Sequence, residues 1–195
     1  MVLLIPTDCF VPMDVAIAVD NSDATTSSEF NNVKRFLKQF INQLASSEVR
    51  FSLLEYGNTA NVITDFRRFR DQIYLENLIE NIAKRNDSER RVDAALNTTK
   101  EEIFSLAGGI RHGHPRYLVF VSSGGPTAEF KVLEGAGKKL RDLGVTFVAI
   151  GTNRGVPGAF IQKLAGDSRF IYRAAEPSQL GAIVLEDLSR KMCTG

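Results

Sequence analysis

The chain has 195 residues, 44% of them hydrophobic and 24% charged, enough for one large domain whose core needs no staples. That balance excludes a disordered or membrane-bound polypeptide. A formal charge of +1 supplies no global field to draw in nucleic acid or an anionic membrane.

The opening Met1-Val2-Leu3-Leu4-Ile5-Pro6 has no basic stretch and stops at proline, so it reads poorly as a signal peptide. A secreted parent would carry its signal upstream or have lost it. No other window approaches the roughly 18 apolar residues of a spanning helix. Cys9 and Cys193 are the only cysteines and bracket the patterned region. Because the termini of a domain often lie close together, the pair is placed to close the domain with one disulfide. The alternative is two unrelated thiols. Such a bridge would add roughly 5 kcal/mol in the chain-entropy model and favours an extracellular module. Residues 1–12 read as an N-terminal extension and 13–193 as a single domain.

Met13 to Asp20 is a short apolar run ending in the polar turn Asp20-Asn21-Ser22-Asp23-Ala24, the pattern of a buried parallel strand. Thr26-Ser27-Ser28-Glu29 has capping-box spacing. The stripe Phe30, Val33, Leu37, Phe40, Ile41, Leu44 continues it as an amphipathic helix. Val49 to Tyr56 is a second strand, Gly57-Asn58 a hairpin turn, and Ala60 to Phe66 an antiparallel edge strand. A helix follows from Ile73 to Ile82, with Leu75, Leu78, Ile79 and Ile82 inward. After Asn86-Asp87-Ser88, the residues Val92, Ala95, Leu96, Thr99, Ile103 and Leu106 predict another helix, ended by Gly108-Gly109. Tyr117 to Val121 is a strand buried on both faces. Ser122 to Pro126 turns the chain into a helix from Phe130 to Leu143, stopped at Gly144. Val145 to Ile150 is the next buried strand. A helix from Pro157 to Leu164, a strand from Arg169 to Tyr172 and a last helix opened by Pro177 complete the chain, with Leu180, Ile183, Val184, Leu188 and Met192 inward. This alternation predicts an α/β fold: a doubly wound, Rossmann-like, mostly parallel six-stranded sheet, with one antiparallel edge strand and helices on both faces.

Open α/β sheets place ligands in loops at the carboxyl ends of central strands, which singles out Asp20 and Ser22. A dinucleotide is excluded because the turn has no glycine and two repelling carboxylates, Asp20 and Asp23. Phosphoryl transfer through Asp20, the work of a small hydrolase or phosphotransferase, needs a second acid two positions on, where Ser22 stands. A third chemistry is a divalent-metal site of carboxylate and hydroxyl oxygens.

The strand ending in Asp20-Asn21-Ser22, the order of elements, Leu53-Leu54-Glu55-Tyr56-Gly57, Ala95-Leu96 and Val145-Thr146-Phe147-Val148-Ala149-Ile150-Gly151 carry a resemblance covering Asp14 to Met192. The chain resembles a von Willebrand factor type A (VWA) domain. Within that family it is similar to the A domains of collagen VI, in particular the amino-terminal ones of the alpha-3 chain. The resemblance implies a metal-ion-dependent adhesion site with five ligand positions, which fall here on Asp20, Ser22, Ala24, Arg90 and Ser123. Only the first two keep the family's residue. Ala24 offers no oxygen, Ser123 replaces an acid, and Arg90 brings a fixed positive charge able to pair with Asp20 or Asp23. The expectation is a vestigial site without metal or other cofactor. Asp20 would then hold its loop by accepting backbone N–H groups, while Thr25 or Thr26 offers a substitute oxygen.

His112-Gly113-His114 lacks a third ligand and reads as a solvent-exposed loop. Arg67, Arg68, Arg70, Arg85, Arg90 and Arg91 form either a plain solvated face or a surface for heparin-like polysaccharide. Asn86-Asp87-Ser88 and Asn97-Thr98-Thr99 are N-glycosylation sequons. What the resemblance implies is a secreted, non-enzymatic module that binds matrix proteins or neighbouring A domains, without nucleic acid or membrane insertion. The rival within the family is a magnesium- or manganese-dependent, integrin-like adhesion domain.

Overall fold

The computed structural model describes residues 11–194 of the 195. Cys9 and most of the N-terminal extension lie outside the described residues. Six strands form one sheet in the order β3-β2-β1-β4-β5-β6: β1 (Met13–Asp20), β2 (Val49–Tyr56), β3 (Ala60–Thr64), β4 (Arg116–Ser122), β5 (Val145–Gly151) and β6 (Ile171–Arg173). All neighbours pair parallel except β2 and β3. The doubly wound sheet and its antiparallel edge are therefore as the sequence predicts.

All eight residues of β1 are buried, and alternate side chains enter two different cores. Val15, Ile17 and Val19 face α1 (Ser27–Gln43), α2 (Gln72–Glu80) and α6 (Leu180–Thr194). Ala16 and Ala18 face α3 (Val92–Thr98), α4 (Phe130–Asp142) and α5 (Gly158–Ala165). Two alanines leave room on that side for Tyr56, Phe120 and Phe147, whose rings meet at centroid distances of 5.0 and 5.8 Å. The capping box of α1 forms as its spacing predicts: Thr26 Oγ1 accepts from Glu29 N and the Glu29 carboxylate accepts from Thr26 N.

Four boundaries depart from the sequence reading. β3 stops at Thr64 because the Asp65 carboxylate accepts from the N–H groups of Arg67 and Arg68 and turns the chain. The helix expected through Leu106 is α3 followed by a wider π turn over Thr99–Ile103, and Leu106 is exposed. A side chain at Gly108 would collide with the carbonyls of Glu102 and Ile103, so glycine lets the chain fold back over that helix end. Ser168–Phe170 is a 3-10 turn capped by Asp167, which shifts the last strand to Ile171–Arg173. Pro177–Gln179 is likewise a 3-10 turn before α6, and Ile183 faces outward rather than inward.

At the opposite end of β1 from Asp20, the Asp14 carboxylate is fully buried. It accepts from Arg50 Nε at 3.3 Å, Arg111 Nε at 2.9 Å and the Arg111 backbone N–H at 2.8 Å. Arg111 also donates to the carbonyls of Met13 and Glu48. This buried charge is thus paired and hydrogen-bonded, the condition for tolerating it.

Candidate functional site

The sheet changes winding direction between β1 and β4, so the loops leaving those two strands border the crevice where such folds place ligands. Asp20 ends β1 and is buried. Its Oδ1 accepts from Ser22 N at 3.0 Å and its Oδ2 from Ser123 N at 2.9 Å. Burial pushes its carboxyl above the ordinary range, against the opposing pull of the Ser22 hydroxyl, these two N–H donors and the Arg90 charge. Beneath it the buried Tyr56 hydroxyl donates to Val121 O at 3.1 Å, and burial, then the Asp20 charge, push that phenol well up.

The fold brings all five expected positions together. Ser22 Oγ accepts from Ala24 N at 3.4 Å. Arg90 reaches in from the segment before α3: its Nε donates to Gly125 O at 2.6 Å and its Nη1 pairs with Asp23 at 3.1 Å. A methyl on Gly124 would lie 3.0 Å from both the Ala24 Cβ and Arg90 Nε, so alanine, arginine and this glycine close on one another. Ser123 is buried; its Oγ accepts from Thr152 Oγ1 at 3.0 Å and its carbonyl from Asn153 Nδ2 at 2.7 Å. Thr26 spends its hydroxyl on capping α1. Thr25 Oγ1 is buried without a partner among the described residues.

A second cation was not foreseen. The Lys84 ammonium donates to Ser22 O at 2.6 Å and to Arg85 O, and sits over the Phe30 ring. Burial lowers its pKa, while Asp20, Asp23 and Asp87 pull it back up. Lys84 arrives because the chain after α2 docks along the Asp20 loop. Ser22 and Asp87 form a parallel bridge, Asp23 N donates to Asp87 O at 2.8 Å, and Asn21 donates to Glu55 and Ala83 O while accepting from Arg85 N. No periodicity announces such a contact. Asn21, next to Asp20 at a strand end, was the one visible hint.

This donor set does not fit a divalent cation. Asp20 is the one acid among the five positions, the position of the second acid is a serine bonded to Thr152, and the cationic groups of Arg90 and Lys84 stand at the rim. A hard cation needs several free oxygens with net negative charge.

The remaining sites of interest lie elsewhere. His112 is exposed and His114 half-buried. Most of the arginines expected to form a basic face are engaged locally: Arg68 with Asp65, Arg85 with Glu55 and Asp87, Arg91 with Asp93, Arg67 with Leu106 O, and Arg70 over Tyr74. Asn86 and Asn97 are both exposed. Cys193 packs against the first core and is not a free thiol.

The family model for the von Willebrand factor type A domain matches residues 14–186. Among curated relatives, von Willebrand factor A domain-containing protein 1 of Mus musculus is 26% identical over 144 residues, 73% of this chain and 34% of its own length. The collagen alpha-5(VI) chain of Homo sapiens is 27% identical over 141 residues, 71% of this chain and 5% of its own. Matrilin-3 of Gallus gallus is 24% identical over 148 residues, 73% of this chain and 32% of its own. The chain thus spans about a third of the first of these relatives. Among solved structures, proximal thread matrix protein 1 from the mussel byssus superposes with a TM-score of 0.85 at 18% identity. The match covers 95% of this chain and 48% of that one, a likeness of fold.

Proposed function

Because the chain belongs to the von Willebrand factor type A family, we propose that it is a secreted, non-enzymatic interaction module of an extracellular matrix protein, binding other matrix proteins or neighbouring A domains without a metal ion. Collagen VI and matrilin relatives support the matrix setting. The observation that carries the metal-independent part is the occupancy of the crevice: Arg90 and Lys84 supply two positive charges around the single buried carboxylate of Asp20. An integrin-like domain needs a cation that a ligand carboxylate completes. Here a cation would meet the Arg90 and Lys84 charges beside one acid, Asp20, so electrostatic repulsion opposes its entry.

Solid-phase binding of the purified chain to immobilised extracellular-matrix extract, in EDTA and in magnesium, tests the proposal. Saturable binding of equal strength in both buffers is expected. Binding lost in EDTA supports the metal-dependent rival, and none in either buffer removes the matrix role.

A further inference from the structure

We propose that Asn86 is an N-glycan acceptor whose glycan stands at the rim of the degenerate crevice; this rests on the secreted reading above. Asn86 lies in the connection between α2 and α3, within the sequon Asn86-Asp87-Ser88. Its neighbours are turned to the protein: Arg85 pairs with Glu55 and Asp87, and Asp87 also accepts from the N–H of Asn58. Asn86 and Ser88, by contrast, are both exposed. The amide and the hydroxyl two residues on, the two groups an N-glycosylation sequon requires, are therefore both open to solvent in the folded chain.

The second sequon differs in the feature that matters. Asn97 sits on α3, and its partner hydroxyl, Thr99 Oγ1, is buried and donates to Ala95 O at 2.7 Å. That site offers both groups only before α3 has formed. Asn86 offers them before and after folding.

The transfer is a substitution at carbon. Asn86 Nδ2 attacks the anomeric carbon of an oligosaccharide carried on a lipid diphosphate. A C–N bond forms, the C–O bond to the diphosphate breaks, the lipid diphosphate departs with the bonding pair, and one amide proton is lost to base. Nothing is oxidised or reduced. The carbonyl of Asp87, the next residue, accepts from Asp23 N, and Asp23 holds Arg90. A glycan at Asn86 thus emerges beside the Asp23–Arg90 pair and screens that rim from a large partner.

The test is the chain expressed in mammalian cells behind a heterologous secretion leader, which separates this inference from the native localisation. Intact mass and peptide mapping are read before and after peptide-N-glycosidase F. The expected result is a glycan released from Asn86 with aspartate left at that position, present in Asn97→Gln and absent in both Asn86→Gln and Ser88→Ala. Ser88→Ala keeps the asparagine, and circular dichroism checks that each variant folds. Secreted protein with no glycan, or with glycan on Asn97 alone, overturns the inference while leaving the matrix-binding proposal standing.

Discussion

The Asp20 carboxylate at the end of β1 accepts the backbone N–H of Ser123, 103 residues later and just after β4. Its other oxygen binds Ser22 N in its own loop. One buried side chain therefore ties together the two loops bordering the crevice.

Removing that tie has a definite cost. In Asp20→Ala the N–H groups of Ser22 and Ser123 lose their acceptor in a buried setting, and an unsatisfied buried donor costs about 1–3 kcal/mol. Relief from no longer burying a charge offsets part of this. The expected net loss is about 2 kcal/mol in urea unfolding, with Asp20→Asn losing less because its amide oxygen retains one bond.

The same residue shapes the pH dependence. Burial holds the Asp20 carboxyl above its ordinary range, so the native state binds this proton more tightly than the unfolded chain. Its contribution is fully present below the unfolded pKa and is lost as pH rises through the folded one. Asp93 and Asp187 act oppositely. Arg91 and Lys191 hold them low, so their contribution is present above the unfolded pKa and fades as pH falls through the folded one. Subtracting Asp20→Asn from wild type isolates the first effect. The wild type should gain on the variant as pH falls through the raised folded pKa towards the ordinary aspartate value of about 3.9, read by urea unfolding at each pH.

Asp14 anchors the other end of the strand. Asp14→Ala leaves Arg50 and Arg111 facing an apolar gap without their shared carboxylate. Breaking one side of a buried ion pair costs about 3–5 kcal/mol. Both guanidinium groups retain partial exposure and carbonyl acceptors, so the lower end is expected in urea unfolding.

Cys9 and Cys193 carry a prediction of their own. Thiol titration of the unreduced protein in denaturant should find no free thiol, and reduction should lower stability by up to about 5 kcal/mol. Two titratable thiols in protein secreted from an oxidising compartment would remove the bridge.

Much of the fold was legible because a strand buried on both faces leaves no polar position. β1 between Asp14 and Asp20 and β4 from Tyr117 to Val121 appear as unbroken apolar runs, β5 is interrupted by Thr146 alone, and the stripe of α1 and its capping box marked that helix to within a residue. Where the reading failed, a local interaction overrode periodicity. Asp65 turned the chain out of β3, and the widened turn at Thr99–Ile103 swung Leu106 into solvent. Ile183 kept the helical spacing of the α6 stripe yet lies beyond the edge of the core. At the site, the five positions followed from motif alignment, but Lys84 did not. Its place depends on a loop docking across 62 residues of sequence onto Ser22 O, a contact that no residue pattern encodes.

The proposal that Arg90 and Lys84 at the rim of the crevice keep a divalent ion out is decided by isothermal titration of magnesium and manganese into EDTA-dialysed protein. The account predicts only dilution heats for both ions. A saturable isotherm with micromolar affinity, abolished in Asp20→Ala, would contradict it.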